Sequence, residues 1–223
     1  MIRRLLREAA WWVADYTYAV IWQVRAFVSR TDPEDFVTGD GVPIVVLPGI
    51  YETWRFLQPL ITELHGRGHP VHVIAALGRN RWPVPRAARH VTAYLREHGL
   101  SDVVVAAHSK GGLVGKQVMA DTEAGGRIRG MVAVASPFAG SFYGRLMLTP
   151  ALRAFSPNDP GIRALSRELA PNERIVSVYG TFDPHIPGGS ELAGARNVRL
   201  ETGGHFRILA HPRVIAEVVR LAE

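Results

Sequence analysis

At 223 residues, 47% hydrophobic and 21% charged, the chain carries enough apolar material for a buried core and lies far from disordered composition, so one α/β domain is expected. The net charge is +6, but the basic residues are scattered, with no run of five and no basic–aromatic alternation, and nucleic-acid binding is not expected. The absence of cysteine excludes disulfides, thiolate catalysis and Cys-ligated metal.

The opening stretch, MIRRLLREAAWWVADYTYAVIWQVRAFVSR, is interrupted by Glu8, Asp15 and Gln23 and falls short of the ~20 apolar residues a bilayer crossing needs. No small-residue cleavage pattern follows it. Residues 1–35 are therefore expected to be a retained amphipathic helical segment, ended by Thr31-Asp32-Pro33-Glu34, with the main domain over 36–223. The main apolar face repeats through Leu6, Ala9, Val13, Tyr16, Val20, Val24 and Phe27. A second strip, Trp11, Tyr18 and Trp22, lies on the side of Asp15 and Arg25. One face suffices for docking on the domain; a tryptophan-rich second face beside arginines suits a membrane interface or a partner subunit. The expected location is the cytoplasm, peripheral to a membrane if the helix binds one.

Beyond Val42, strand-like runs at 43–47, 71–75, 102–106, 130–135, 174–179 and 197–201 alternate with helical stretches at 53–65, 85–98, 111–122, 141–169 and 212–222. The strand runs are short and rich in Val and Ile without polar alternation, the pattern of strands covered on both faces. The order βαβαβαβ predicts a mostly parallel sheet of about six strands in a three-layer α/β sandwich.

One junction has no ordinary loop: DVVVAAHSKGGL runs from an apolar strand directly into a helix. Small-x-Ser-x-Gly at such a place describes a nucleophile elbow, a strained turn that must be flanked by small residues, here Ala107 and Gly111. Ser109 would then project at the carboxyl edge of the sheet, where open α/β proteins hold their ligands.

With AHSKGGLVGK, LPGIYETW after the first strand, ASPFAGS after the fourth, YGTFDPHIPGGS after the fifth and ETGGHFRIL after the sixth, residues 43–223 resemble the α/β-hydrolase superfamily, and within it the bacterial lipase and esterase branch. The resemblance implies the triad order Ser, acid, His: Ser109 as nucleophile, Asp183 as the orienting acid and His205 as the base, the last two each beyond its own strand. Asp159 and Asp121 compete for the acid role, but neither follows a strand. The oxyanion donors implied are the backbone amides of Lys110 and of Ile50, with Tyr51 as the alternative to Ile50 because Pro48 replaces the more usual histidine. The Lys110 side chain either attracts a substrate carboxylate or points to solvent, and solvent is the expectation.

Residues 138–171 exceed a plain crossover helix and are expected to form either a lid, with Leu146, Met147, Leu148, Leu152 and Phe155 as its apolar underside, or a packing helix. Tyr51, Phe138, Leu146 and Leu148 are the candidate substrate contacts. The function implied is hydrolysis of carboxylic esters, lipid-like or otherwise hydrophobic, without cofactor; acyl transfer or thioester cleavage uses the same triad, and a non-catalytic relative binding a membrane or partner is the rival of another class. His69, His72 and His185 form no HExxH or similar cluster, so no metal is expected, and neither GxGxxG nor a P-loop is present.

Overall fold

A computed structural model describes residues 2–146 and 149–223. The chain opens with helix α1 (Ile2–Val28), followed by strand β1 (Ile44–Leu47), α2 (Gln58–Gly66), β2 (Val71–Val73), α3 (Val84–Glu97), β3 (Val103–His108) and α4 (Lys110–Met119). Then come β4 (Ile128–Val134), the short α5 (Pro150–Arg153), α6 (Pro160–Arg167), β5 (Ile175–Phe182), β6 (Arg196–Gly203) and α7 (Pro212–Ala222). All six strands are parallel, in the order β2-β1-β3-β4-β5-β6, so β3 lies inside the sheet and its carboxyl end faces the loops that leave β1, β4, β5 and β6.

The three layers follow from alternation along fully buried strands. Val45, Leu47, Val103, Val105 and Ala107 point to one face and pack with Val91 and Leu95 of α3 and Leu113 and Val114 of α4. Ile44, Val46, Val104 and Ala106 point to the other, against Leu60 and Leu64 of α2 and Val214 and Val218 of α7. Because both faces are covered, β1 and β3 are buried at every position and apolar up to His108 at the end of β3, without the polar alternation of half-exposed sheets, whereas the edge strand β6 is largely exposed. The expected strands and helices are all found, the last helix at its expected bounds and the others shifted by one to five residues at their ends; the 141–169 stretch divides into a 310 turn (Phe142–Leu146), α5 and α6.

Helix α1 docks through the strip expected to face a membrane or partner. Asp15 and Ala19 are buried, Trp11, Tyr18 and Trp22 are half-buried, and Tyr18 meets Phe56 edge-on with ring centroids 6.3 Å apart. Of the longer apolar series, Leu6, Ala9, Val13, Val20, Val24 and Phe27 are exposed, while Tyr16 is half-buried with its hydroxyl 3.0 Å from His185 Nε2. Period alone identifies two faces, whereas shape and polar complementarity choose between them: Asp15 finds partners on the domain that no aliphatic residue could satisfy. Among the described residues no helix is long and apolar enough to cross a membrane.

Candidate active site

Ser109 stands between β3 and α4 with φ 50° and ψ −117°, a left-handed conformation that a non-glycine residue holds only under strain. Its own amide donates to Val134 O at 2.8 Å, anchoring the turn to β4. The turn closes so tightly that a Cβ at Gly111 would lie 2.2 Å from Leu47 O, which is why a glycine stands two residues after the serine.

The three sequence-predicted triad residues meet. His205 Nε2 lies 3.0 Å from Ser109 Oγ, and His205 Nδ1 lies 2.8 Å from Asp183 Oδ2. Asp183, just past β5, also accepts the backbone amides of His185 and Ile186 on Oδ1, at 2.8 and 3.0 Å. Burial opposes the ionised form of Asp183, but His205 and those two amides outweigh it and hold its carboxyl below the usual aspartate value. For His205 the balance has the same shape: burial disfavours the imidazolium, while Asp183, with smaller contributions from Glu52 and Asp15, raises it above an ordinary histidine. Asp121 and Asp159 lie elsewhere, Asp121 accepting amides of Glu123 and Ala124 and Asp159 capping α6.

Two buried carboxylates that the sequence reading did not single out fix the loop carrying His205. Asp15 of α1 accepts three successive backbone amides, those of His205 at 2.9 Å on Oδ2 and of Phe206 and Arg207 at 2.8 and 2.9 Å on Oδ1. The helix approaches so closely that a Cβ on Gly204, at φ 120°, would lie 2.5 Å from Asp15 Oδ1. Glu52 Oε2 accepts the Gly49 amide at 2.7 Å and meets His108 Nδ1 at 2.9 Å, while His108 Nε2 lies 3.0 Å from His205 O. A carbonyl only accepts, so Nε2 of His108 carries a proton, and the loop after β1 is tied through Glu52 and His108 to the loop after β6. The visible signals were an acid inside an apolar helical strip, followed far along the chain by Gly-Gly before a histidine.

Asp15→Ala would leave three amides without acceptors in a buried turn. The expected loss of stability is at least about 3 kcal/mol, read from the urea unfolding midpoint. An unchanged midpoint would mean that the carboxylate is dispensable to the fold.

His185, facing the triad, is a further residue brought in by tertiary contact. Its ring centroid lies 4.7 Å from that of His205, and its Nε2 is 3.0 Å from the Tyr16 hydroxyl of α1. Burial and the neighbouring His205 push its pKa down to about 4, so it is neutral near pH 7 and adds no charge beside the base.

Of the two alternatives for the oxyanion donor after β1, the Tyr51 amide is taken: it donates to Arg79 O at 2.8 Å. Among the described residues no backbone acceptor faces the amides of Ile50 or Lys110. The Lys110 side chain is not in solvent as expected. It is buried, with Nζ donating to the carbonyls of Asn80 and Trp82, and burial pushes its pKa down to about 8. It thereby braces the 80–82 turn against the start of α4, a contact made across sequence-distant loops that local pattern does not encode.

Beside this turn opens a cavity of about 790 Å³ whose walls include Tyr51, Leu77, Trp82, Val84, Lys110 and Phe155. Tyr51, expected as a substrate contact, lines this cavity, whose walls do not include Ser109, Asp183 or His205. Phe138 does not: it is buried in the core with α4, since the chain turns inward directly after β4. Leu148 and Met147 lie outside the described residues, as does the side chain of Leu146. Within the 138–171 segment, Phe155, Ile162 and Leu165 pack into the core, and Thr149, Ala151, Ala154 and Phe155 line the cavity, so the segment both packs and walls the cavity. Among the described residues no group of three or more His, Asp or Glu side chains is arranged to hold a metal ion.

No family model and no curated protein matches the chain. Solved structures do resemble it. A Bacillus licheniformis lipase in its mature form superposes with a TM-score of 0.65 at 16% identity, over 88% of this chain and 96% of that one. An extracellular α/β-hydrolase from a Paenibacillus species gives 0.56 at 18% identity over 81% and 98%, and a monoacylglycerol lipase of Paleococcus ferrophilus 0.56 at 20% over 81% and 93%. The chain has the α/β-hydrolase fold, with α1 preceding its six-stranded parallel sheet.

Proposed function

We propose that the chain is a serine hydrolase of carboxylic esters, with lipid-like or other hydrophobic esters as its substrate class. The observation that carries this reading is the continuous relay Ser109 Oγ, His205 Nε2, His205 Nδ1, Asp183 Oδ2, with contacts of 3.0 and 2.8 Å, buried at the carboxyl edge of the sheet. The named lipases among its structural neighbours agree with it.

Ser109 Oγ attacks the ester carbonyl carbon as His205 Nε2 takes its proton, and the carbonyl electron pair moves onto oxygen. The amides of Ile50 and Lys110 receive that oxyanion, each donor of this kind being worth about 3 kcal/mol in the transition state. Asp183 keeps the Nδ1 proton of His205 in place and stabilises the imidazolium. The intermediate collapses when His205 gives its proton to the departing alkoxide, leaving an acyl-serine. Water, deprotonated by the same nitrogen, then attacks the acyl-serine; the carboxylic acid leaves and Ser109 regains its proton.

The chemistry of the walls suggests the substrate class. Leu77, Val84, Ala151 and Phe155 offer apolar surface in the cavity that Lys110, the residue after the nucleophile, also lines, and burying an acyl chain there gains about 25 cal/mol per Å². A fluorophosphonate probe incubated with the folded protein is expected to label Ser109 and no other residue, as read by peptide mass spectrometry. Hydrolysis of p-nitrophenyl esters is expected to quicken with acyl length until the cavity is filled. Absence of labelling in folded protein would remove the hydrolase reading and leave a non-catalytic relative.

A further inference from the structure

Docking of α1 through its tryptophan strip leaves the opposite side of the helix bare. At 3.6 residues per turn, Leu6, Val13, Val20, Val24 and Phe27 fall on one side, away from Asp15 and Ala19. They are 66, 59, 61, 57 and 83% exposed, and Ile2, Ile21 and Val28 widen the band. Over a 27-residue helix this band runs about 40 Å, far beyond the scattered single apolar residues of an ordinary surface.

Charge along its border identifies what covers it. Arg3, Arg7 and Arg25 are exposed along one border of the band, between it and the docked strip, and the guanidinium groups of Arg7 and Arg25 sit over the rings of Trp11 and Trp22 at 4.9 and 4.7 Å from their centroids. The two acids of the helix are already used, Glu8 by Arg4 at 2.7 Å and Asp15 by the amides of the His205 loop. A second copy laid on this face would bring arginines to arginines with no carboxylate between them. An anionic headgroup layer over an apolar interior matches both parts: phosphates for the arginine border and acyl chains for the aliphatic band.

We propose that the exposed face of α1 is a docking surface for an anionic lipid bilayer, on which the helix lies in the interfacial plane. This surface is separate from the hydrolytic reading, yet it is joined to the same site. Trp12 at the edge of the band meets Tyr16 in a tilted arrangement, 4.5 Å between centroids, Tyr16 bonds His185, and the other side of the helix holds the His205 loop through Asp15. A chain docked this way would hold its candidate active site beside the source of hydrophobic esters.

The test is co-sedimentation of the full chain with phosphatidylcholine vesicles, with and without phosphatidylglycerol, at low and high salt. Binding is expected to vesicles containing phosphatidylglycerol, at least about tenfold weaker to phosphatidylcholine alone, and weaker in high salt. Val13→Glu and Val20→Glu are each expected to weaken it at least about tenfold with the thermal midpoint unchanged, since both sites are exposed. Arg7→Gln and Arg25→Gln, which leave the apolar band intact, are each expected to weaken it about fivefold. Failure to sediment with either vesicle, or binding indifferent to all four substitutions, would overturn the proposal. So would a lipid-free dimer in light scattering that Val20→Glu dissociates, which would assign the face to a second copy.

Discussion

Ser109→Ala is expected to reduce kcat for a short p-nitrophenyl ester by about 10⁴- to 10⁶-fold, leaving only what the oxyanion donors and substrate binding contribute. The loss is that large because, among the described residues, Ser109 Oγ at 3.0 Å is the hydroxyl that bonds His205 Nε2. The fold should survive: the substitution removes one oxygen from a turn held by Ser109 N on Val134 O and by the packing of Gly111 against β1. The measurement pairs steady-state kinetics with urea unfolding, in which the stability is expected to change by no more than about 1 kcal/mol. Undiminished hydrolysis would show that the nucleophile lies elsewhere.

Asp183→Asn is expected to cost about 10⁴-fold in kcat with little change in fold. Two backbone amides, those of His185 and Ile186, hold Oδ1, so the substituted side chain keeps its carbonyl oxygen there and turns its NH2 toward His205 Nδ1. That nitrogen must then accept, the single ring proton moves to Nε2, and the ring can no longer take a proton from Ser109. The pH profile supplies an independent sign. In the native protein the Asp183 charge raises His205 against the opposing effect of burial, so activity is lost as pH falls through an elevated value. Without that charge burial dominates, and the acid limb of the residual activity should move to lower pH. An acid limb that stays in place would mean that Asp183 does not set the protonation of His205.

The catalytic candidates were legible because each rests on a local rule. A serine between small residues at a strand–helix junction marks a strained turn, and an acid and a histidine beyond later apolar runs fall on the same sheet edge once the strands are parallel. The choice between Ile50 and Tyr51 was not local, since it turned on Arg79 O, which takes the Tyr51 amide. The Lys110 side chain was misread for the same reason: the carbonyls of Asn80 and Trp82 that draw it inward lie about thirty residues away in the chain. Phe138 resembled a site residue by its place after β4 and proved to be core, because its direction depends on how the next segment folds back.

Helix α1 draws the line most clearly. Its residue pattern by itself determined that it is helical, that it has two apolar faces and that it is unsuited to crossing a bilayer, because hydrophobic period and length are properties of consecutive residues. Which face docks, and that docking delivers Asp15 to the amides of residues 205–207, only the tertiary structure decided. The cause is physical: a buried carboxylate is tolerated where fixed donors surround it, and those donors come from a turn 190 residues further along the chain.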